Sequence, residues 1–296
     1  MIDPLNEVSA VYIEATARAP IVNSEFLFTD HDFSKIRTLI HRRAGIALGE
    51  QKRQMVYSRL SRRLRELRLP EFSRYLELLE SSHHDHEEWQ VFINSLTTNL
   101  TSFFREAHHF PVLAEHVKRS RQPVTVWCAA ASTGEEPYSI AITLAEALGE
   151  RAGSARVIAT DIDTAVLAKA SAGVFTQEQV ARLPAERLRR FFNKGTGSNA
   201  GKVRVRPELA AMVKFERLNL LDPVWPVKEP VDAIFCRNVM IYFDKPTQKR
   251  ILDRFEPLLK PGALLFAGHS ENASLVSPNF RTTGQTVYEL DRKGRA

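Results

Sequence analysis

Two adjacent carboxylates, Glu135 and Glu136, follow Gly134 in VTVWCAAASTGEEPYSI, which runs from Val124 to Ile140 and reads as a β-strand, a tight turn and the start of a helix. Many α/β proteins hold a nucleotide in such a turn, with phosphate at the helix N-terminus. Here the protein itself supplies negative charge. A diphosphate would meet two anions at close range in a partly buried site, and the loop has neither GxGxxG nor a P-loop lysine. A cationic ligand without phosphate suits it better. Glu135 can accept hydrogen bonds from an ammonium, and the small residues Ala129 to Ala131 let a ligand approach the backbone. Equally, Glu135 and Glu136 can be first-turn acids that stabilise a helix N-terminus.

The second strand end, RVIATDID, offers Asp161 to both hydroxyls of a ribose, 27 positions after Gly134, against a usual spacing of about 20. Asp161 or Asp163 can instead cap the following helix. A third strand end, RLNLLDPVW, supplies Asn219 and Leu220, a polar and an apolar group suited to the edge and face of an adenine. Together these three ends fit S-adenosylmethionine, which carries an adenosine, a sulfonium, an ammonium and one carboxylate.

The elements that must position these groups fall into two parts. From residue 26 to about 90 the periodicity is helical. Thr29 or Asp30 can cap a helix containing Phe33, Ile36, Leu39 and Ile40, and a second helix over about 51–68 places Val56, Leu60, Leu64 and Leu67 on one stripe. Its other faces carry Lys52, Arg53, Arg59, Arg62, Arg63, Arg65 and Arg68. Between His31 and Glu80 there are twelve Lys or Arg against six Asp or Glu; the remainder balances at 29 against 29, so this window holds the whole net charge of +6. Such a cationic first domain points to nucleic acid, acidic lipid or an acidic protein, or is simply a solvated face. Residues 91–122 link it to a second domain over 123–296, where short strands (VTVWC, RVIATDID, MVKFERLNL, VDAIFCRNV and GALLFAGHS) alternate with helices. That alternation predicts a doubly wound, mostly parallel α/β sheet with its functional loops at the carboxyl ends of the strands. An antiparallel β excursion is expected over about 173–210, where KVRVR lies beside glycine-rich turns.

Residues 1–25 have no uninterrupted apolar run and read as a flexible tail, neither signal peptide nor membrane anchor. Two cysteines, Cys128 and Cys236, form neither a disulfide framework nor a zinc pattern, so a reducing cytoplasm fits. They end neighbouring strands and are expected close together beside the ligand, with weak redox sensitivity. HHDH at 83–86 lacks further ligands, and no metal site is expected. His269, at a later strand end, can line the site or be a satisfied polar residue.

The segments LTTNLTSFFREAHHFPVL, WCAAASTGEEPYSIAI, ATDIDTAVLAKA, DAIFCRNVMIYFD and LLFAGHSEN together closely resemble the CheR-type chemotaxis receptor methyltransferases, over about Phe33 to Leu290. The resemblance implies a Rossmann-like class I methyltransferase sheet with an inserted antiparallel β-subdomain, preceded by an all-α domain. It implies that Asn99, Thr101, Arg105, Glu135, Asp161, Asn219, Leu220, Arg237 and Asn238 contact S-adenosylmethionine. The first three lie in the segment joining the domains, so both would enclose the cofactor. It further implies methyl esterification of glutamate γ-carboxylates in cytoplasmic chemoreceptor helices, with S-adenosylhomocysteine as by-product and recruitment of the enzyme to membrane receptor arrays. Arg59, Arg62, Arg63 and Arg68 are then candidates for docking an acidic receptor helix. Gly195, Gly197 and Arg206 are candidates for binding a tether at the receptor's carboxyl terminus by strand addition.

An ionised glutamate, with an unperturbed pKa of about 4.3, is already a nucleophile at neutral pH. Its attack on a sulfonium cancels two charges, so orientation and a dry site suffice and no general base is needed. Arg105 and Tyr242 are the candidates for aligning the carboxylate; Tyr242 can equally pack on adenine or in the core. A nucleic-acid amino-methyltransferase would be expected to show a [DNS]PP[YFW] pattern at the fourth strand end, where this chain has CRNVMIY. A non-catalytic adaptor that senses the cofactor is the rival from another class.

Overall fold

The computed structural model describes residues 25–291; the tail expected over 1–25 lies, apart from Glu25, outside the described residues. Among the described residues the first part consists of four α-helices and a short 3-10 turn at Glu50–Lys52. In α1 (Asp30–Ala44) Thr29 and Asp32 form a reciprocal capping box, and the helix stops at Gly45. The buried stripe of α2 (Arg53–Leu67) is Val56, Leu60 and Leu64, each enclosed, with Leu67 half-buried. Full burial of each such side chain is worth about 1.5–3 kcal/mol, enough to fix the face that α2 turns inward and leave its arginines outward. The helices α3 (Phe72–Ser81) and α4 (Glu87–Leu96) complete the bundle. Trp89, Phe92, Ile93 and Leu96 of α4 belong to the same core as Phe33, Leu60 and Phe72. The domain boundary expected at residue 90 therefore falls inside a helix, because an apolar face at 89, 92, 93 and 96 continues the bundle. His86 of the HHDH stretch caps α4, its ring nitrogen accepting from the Glu88 N–H at 3.1 Å.

After α5 (His109–Lys118) the chain enters the α/β part through β1 (Thr125–Cys128), α6 (Glu135–Leu148), β2 (Arg156–Asp161) and α7 (Thr164–Ala172). Three short strands follow, β3 (Val174–Thr176), β4 (Phe192–Lys194) and β5 (Lys202–Val205). They form a separate antiparallel sheet in the order β3-β5-β4. The main sheet then gains β6 (Val213–Arg217), β7 (Val231–Cys236), β8 (Leu259–Ala267), β9 (Phe280–Gly284) and β10 (Val287–Leu290). Its order is β6-β2-β1-β7-β8-β10-β9. The first five strands pair in parallel, whereas β10 runs antiparallel to both neighbours. This is the doubly wound, Rossmann-like α/β sheet expected from the alternation. The closing hairpin β9–β10 was not signalled by it.

Phe103, in the segment between the domains, packs edge-on against Phe175 and Phe192 of the small sheet, with ring centroids 4.8 and 5.7 Å away. The joining segment is thereby anchored on the insertion. Cys128 and Cys236 are both buried, but Cys128 lies opposite Phe235 in the parallel register. Side chains of adjacent residues alternate across a sheet, so the two thiols face different cores. The expected proximity is therefore corrected by one position of register. No helix among the described residues is long and apolar enough to cross a membrane.

Candidate active site

The strands β1, β2, β6 and β7 end at a cavity of about 330 Å³ lying between the two parts of the chain. One wall is the strand ends; the other is the segment from Ala44 to Met55 and the run Leu96 to Thr101. The parts are tied around it by polar contacts that cross the boundary. Asn219 Nδ2 donates to the Arg43 carbonyl at 2.7 Å, the Ala47 N–H to the Tyr242 carbonyl at 2.8 Å, and Gln90 Nε2 to the Ile162 carbonyl at 2.8 Å. His41 meets Asp244 at 2.9 Å, and Thr97 Oγ1 donates to Asp163 at 2.6 Å.

The turn after β1 explains the single glycine. Gly134 stands at φ 103, and a Cβ there would lie 3.0 Å from the backbone of Ala170, so α6 can start hard against α7. Ser132 N–H donates to Asp161 Oδ2 at 2.8 Å, and the Asp163 N–H to Asp161 Oδ1 at 2.9 Å. Asp161 is thus fixed at the cavity wall, while Asp163 caps α7. Burial pushes the Asp161 carboxyl up to about 6 against the pull of those two N–H donors.

The two glutamates of the turn do different things. Glu135 does not line the cavity: Gln179 Nε2 donates to it at 2.9 Å and Thr133 Oγ1 at 2.6 Å, which holds it toward the inserted segment. Glu136 lines the cavity instead. Consecutive helix residues are about 100° apart, so only one of the pair can face the strand ends. Of the two turn carboxylates, the expected acceptor Glu135 is held by Gln179 and Thr133, and Glu136 is the one at the cavity wall. Burial pushes the Glu136 carboxyl up, with Arg237 pulling the other way.

Arg237, at the end of β7, has a fully enclosed guanidinium that donates to Glu136 at 2.7 Å and to the Arg105 carbonyl, and sits 3.4 Å from Glu106. Burial works to raise Glu106, but Arg237, the Asn238 amide and His269 hold it below the ordinary carboxylate range. His269 is exposed and 3.4 Å from Glu106, a satisfied polar residue. Asn238, at φ 57, donates through Nδ2 to Glu106 at 3.2 Å. Arg105 borders the cavity and donates to the Leu100 carbonyl at 2.9 Å; no pairing with Glu106 is formed. Asn99 lines the cavity with its amide on Asp163 at 2.8 Å, and Thr101, Leu220 and Tyr242 complete the wall. Eight of the nine expected cofactor residues thus meet at one cavity, Glu135 being the exception.

Residues 99–289 match the family described as CheR methyltransferase, SAM binding domain, and residues 31–97 match CheR methyltransferase, all-alpha domain. A chemotaxis protein methyltransferase of Klebsiella aerogenes is 61% identical over 265 residues, covering 90% of this chain and 91% of that protein. One of Escherichia coli K12 is 58% identical, covering 89% and 92%, and chemotaxis protein methyltransferase 2 of Pseudomonas aeruginosa is 54% identical, covering 90% and 95%. The chain belongs to the CheR methyltransferase family. It is an S-adenosylmethionine-dependent methyltransferase of chemotaxis.

The donor set of the cavity fits that cofactor. Two buried carboxylates, Glu136 and Asp161, face it, and the buried guanidinium Arg237 is already paired with Glu136 and close to Glu106. Lys52, on the opposing wall, is exposed. Sequence reasoning missed Lys52, Ser132, Glu106 and the apolar wall Ile46, Leu48 and Met55. Periodicity assigned the wall residues no role. Only the FFREAHHF segment, quoted for its likeness, carried a signal for Glu106.

The surface candidates separate too. Arg63 is bidentate to Glu88, at 2.9 and 2.5 Å, and also reaches Glu66. Arg59 donates to the Thr97 carbonyl at 2.5 Å. These two arginines hold α2 to α4 and to the cavity segment and are only partly exposed. Arg62, bound only to Glu66 one turn on, and Arg68 remain exposed. In the insertion, Gly195 is packed against the Asn199 carbonyl, where a Cβ would lie 2.1 Å away, while at Gly197 nothing lies within 4 Å. Arg206 is exposed and donates to the Arg189 carbonyl at 3.0 Å. Among the described residues no group of His, Cys, Asp and Glu could hold a metal ion.

Proposed function

We propose that the chain methylates the γ-carboxylates of specific glutamates in the cytoplasmic helices of chemoreceptors. The observation that carries this is a cavity enclosed by the two parts of the chain and lined by two buried carboxylates, Glu136 and Asp161, with Lys52 and Met55 at the start of the arginine-rich α2 in its wall. Asp161 holds the ribose hydroxyls, Asn219 and Leu220 the adenine, and Glu136 the ammonium. Arg237 keeps Glu136 ionised and in place rather than binding phosphate. The cofactor supplies an electrophilic methyl on a sulfonium.

The chain's residues supply orientation and dryness. The apolar wall Ile46, Leu48 and Met55 keeps water from the reacting centre, where charge neutralisation is favoured by a low dielectric. Tyr242 and Arg105 stand at the same cavity and align the incoming carboxylate. Too tight an arginine clamp would stabilise the reactant anion more than the transition state. Arg105 already gives one N–H to the Leu100 carbonyl, which limits its hold.

Arg62 and Arg68 meet the acidic face of the receptor helix, and the open insertion around Gly197 and Arg206 takes a receptor tail peptide by strand addition. The enzyme then works in the cytoplasm at receptor arrays. The test is incubation of purified protein with methyl-labelled cofactor and chemoreceptor cytoplasmic fragments. Base-labile label on receptor glutamates is expected. Cofactor binding without any labelled receptor would overturn the reading in favour of an adaptor.

A further inference from the structure

The loop that carries Asn238 and Tyr242 is held from behind by a carboxylate outside the cavity. Glu271, in the turn after β8, is buried, and three backbone N–H groups converge on it: Gly268 at 2.6 Å and Asn238 at 2.9 Å on Oε2, and Ile241 at 3.3 Å on Oε1. It thus joins the ends of β7 and β8. Gly268 makes the approach possible, since a Cβ there would lie 2.8 Å from the Asn238 nitrogen and 2.8 Å from Glu271 Oε2. Behind the loop lies a second cavity of about 240 Å³, bordered by Glu271, Met240, Leu265, Ala273 and Val276. With that space behind it, the loop relies on hydrogen bonds as well as on the buried Met240: besides the contacts to Glu271, Gln248 Nε2 donates to the Met240 and Phe243 carbonyls at 2.8 and 3.0 Å. Asn238 also needs such bonds, because a non-glycine residue at φ 57 is disfavoured without local support.

Resting on the methyl-transfer reading above, we propose that Glu271 is a positioning residue for the reaction: by gripping the Asn238 and Ile241 N–H groups it sets where Asn238 and the adjoining Tyr242 stand at the cavity. It touches neither cofactor nor substrate. Its contribution therefore falls mainly on alignment through Tyr242, with a smaller effect on cofactor binding through Asn238.

The test is Glu271→Gln in the full chain, which keeps the shape but replaces one acceptor oxygen by an NH₂ facing an N–H donor. Misplacement on the scale of an ångström costs about 10- to 100-fold in kcat, whereas S-adenosylhomocysteine affinity should change by less than about 5-fold. Gly268→Ala, which forces the same groups apart, should give the same split. Glu271→Asp should recover part of the rate lost in Glu271→Gln. By-product binding shows that each variant is folded. If Glu271→Gln keeps kcat within about 2-fold, or loses cofactor affinity as much as it loses rate, the positioning role is wrong. If the unaltered protein labels no receptor, it is the underlying reading that fails.

Discussion

Replacing Glu136 by Gln and, separately, Glu135 by Gln discriminates between two neighbours that are chemically identical in sequence. Glu136 faces the cavity and accepts from Arg237 at 2.7 Å, with Cys128 Sγ at 3.3 Å on its other oxygen. With Glu136 holding the ligand ammonium as proposed, its substitution removes a charge-assisted hydrogen bond worth about 1.5–3 kcal/mol, which is about a 10- to 150-fold loss of affinity. It also leaves Arg237 with one carboxylate, Glu106 at 3.4 Å, in place of two. Breaking a buried pair outright costs about 3–5 kcal/mol; with Glu106 remaining, about 2 kcal/mol is expected, a fall in Tm of about 4–8 °C. Glu135 is bound to Gln179 and Thr133, away from the cavity. Glu135→Gln should leave affinity within about 3-fold and Tm within about 3 °C. Isothermal titration with S-adenosylhomocysteine and a thermal melt read both quantities. A larger affinity loss in Glu135→Gln than in Glu136→Gln would refute the assignment of Glu136 to the cavity.

Other outcomes follow from the same geometry. Cofactor affinity should rise with pH through about 6 and level off above it. Ribose hydroxyls favour the ionised Asp161 carboxyl that burial has raised to about 6, so binding releases a proton there. Titration in buffers of different ionisation enthalpy checks this, and Asp161→Asn should abolish the release. The same raised pKa means that Asp161 favours the fold below its unfolded value near 3.8, and this contribution is lost as pH rises to about 6. Arg62→Ala with Arg68→Ala should raise KM for receptor and flatten its salt dependence while leaving Tm unchanged. Arg63→Ala should instead strip Glu88 of its bidentate partner and cost about 2–3 kcal/mol, read as a lower Tm. Mild oxidant should leave both thiols free and cofactor affinity unchanged, because burial pushes Cys128 and Cys236 up and they face opposite sides of the sheet. An intramolecular disulfide found by mass spectrometry would contradict that register.

The sheet, the helical domain and the inserted antiparallel strands were legible because each rests on short-range pattern. Alternating apolar runs, the 56-60-64 stripe and KVRVR between glycine turns are properties of neighbours in sequence. The cavity was legible in part for a related reason: strand ends in this architecture converge, so Asp161, Asn219 and Leu220 could be placed together without knowing any side-chain direction, while Arg237 came with the family resemblance. What escaped was direction itself. Nothing in GEEP says which glutamate turns toward the strand ends; that depends on Gln179, 44 positions later, capturing Glu135. In the same way the arginines of α2 look equivalent as a run of charge, until Glu88, 25 positions on, takes Arg63 at 2.5 Å and the Thr97 carbonyl takes Arg59.

These misses share a cause with consequences for how the site works. A buried charge must find partners wherever the fold brings them, since leaving it unpaired costs several kcal/mol. The partners are therefore distant in sequence and near in space. In this chain that requirement links the site together: the largely buried Glu106 from the joining segment, Glu136 from α6 and Arg237 just after β7 form one cluster, and Asn238 leads from it to Glu271. A change at any member should be felt at the others, so double substitutions within the cluster should depart from additivity. Pairs drawn from the cluster and from α2 should add. Strict additivity of Glu106→Gln with Glu136→Gln in thermal melts would show that Arg237 does not couple them.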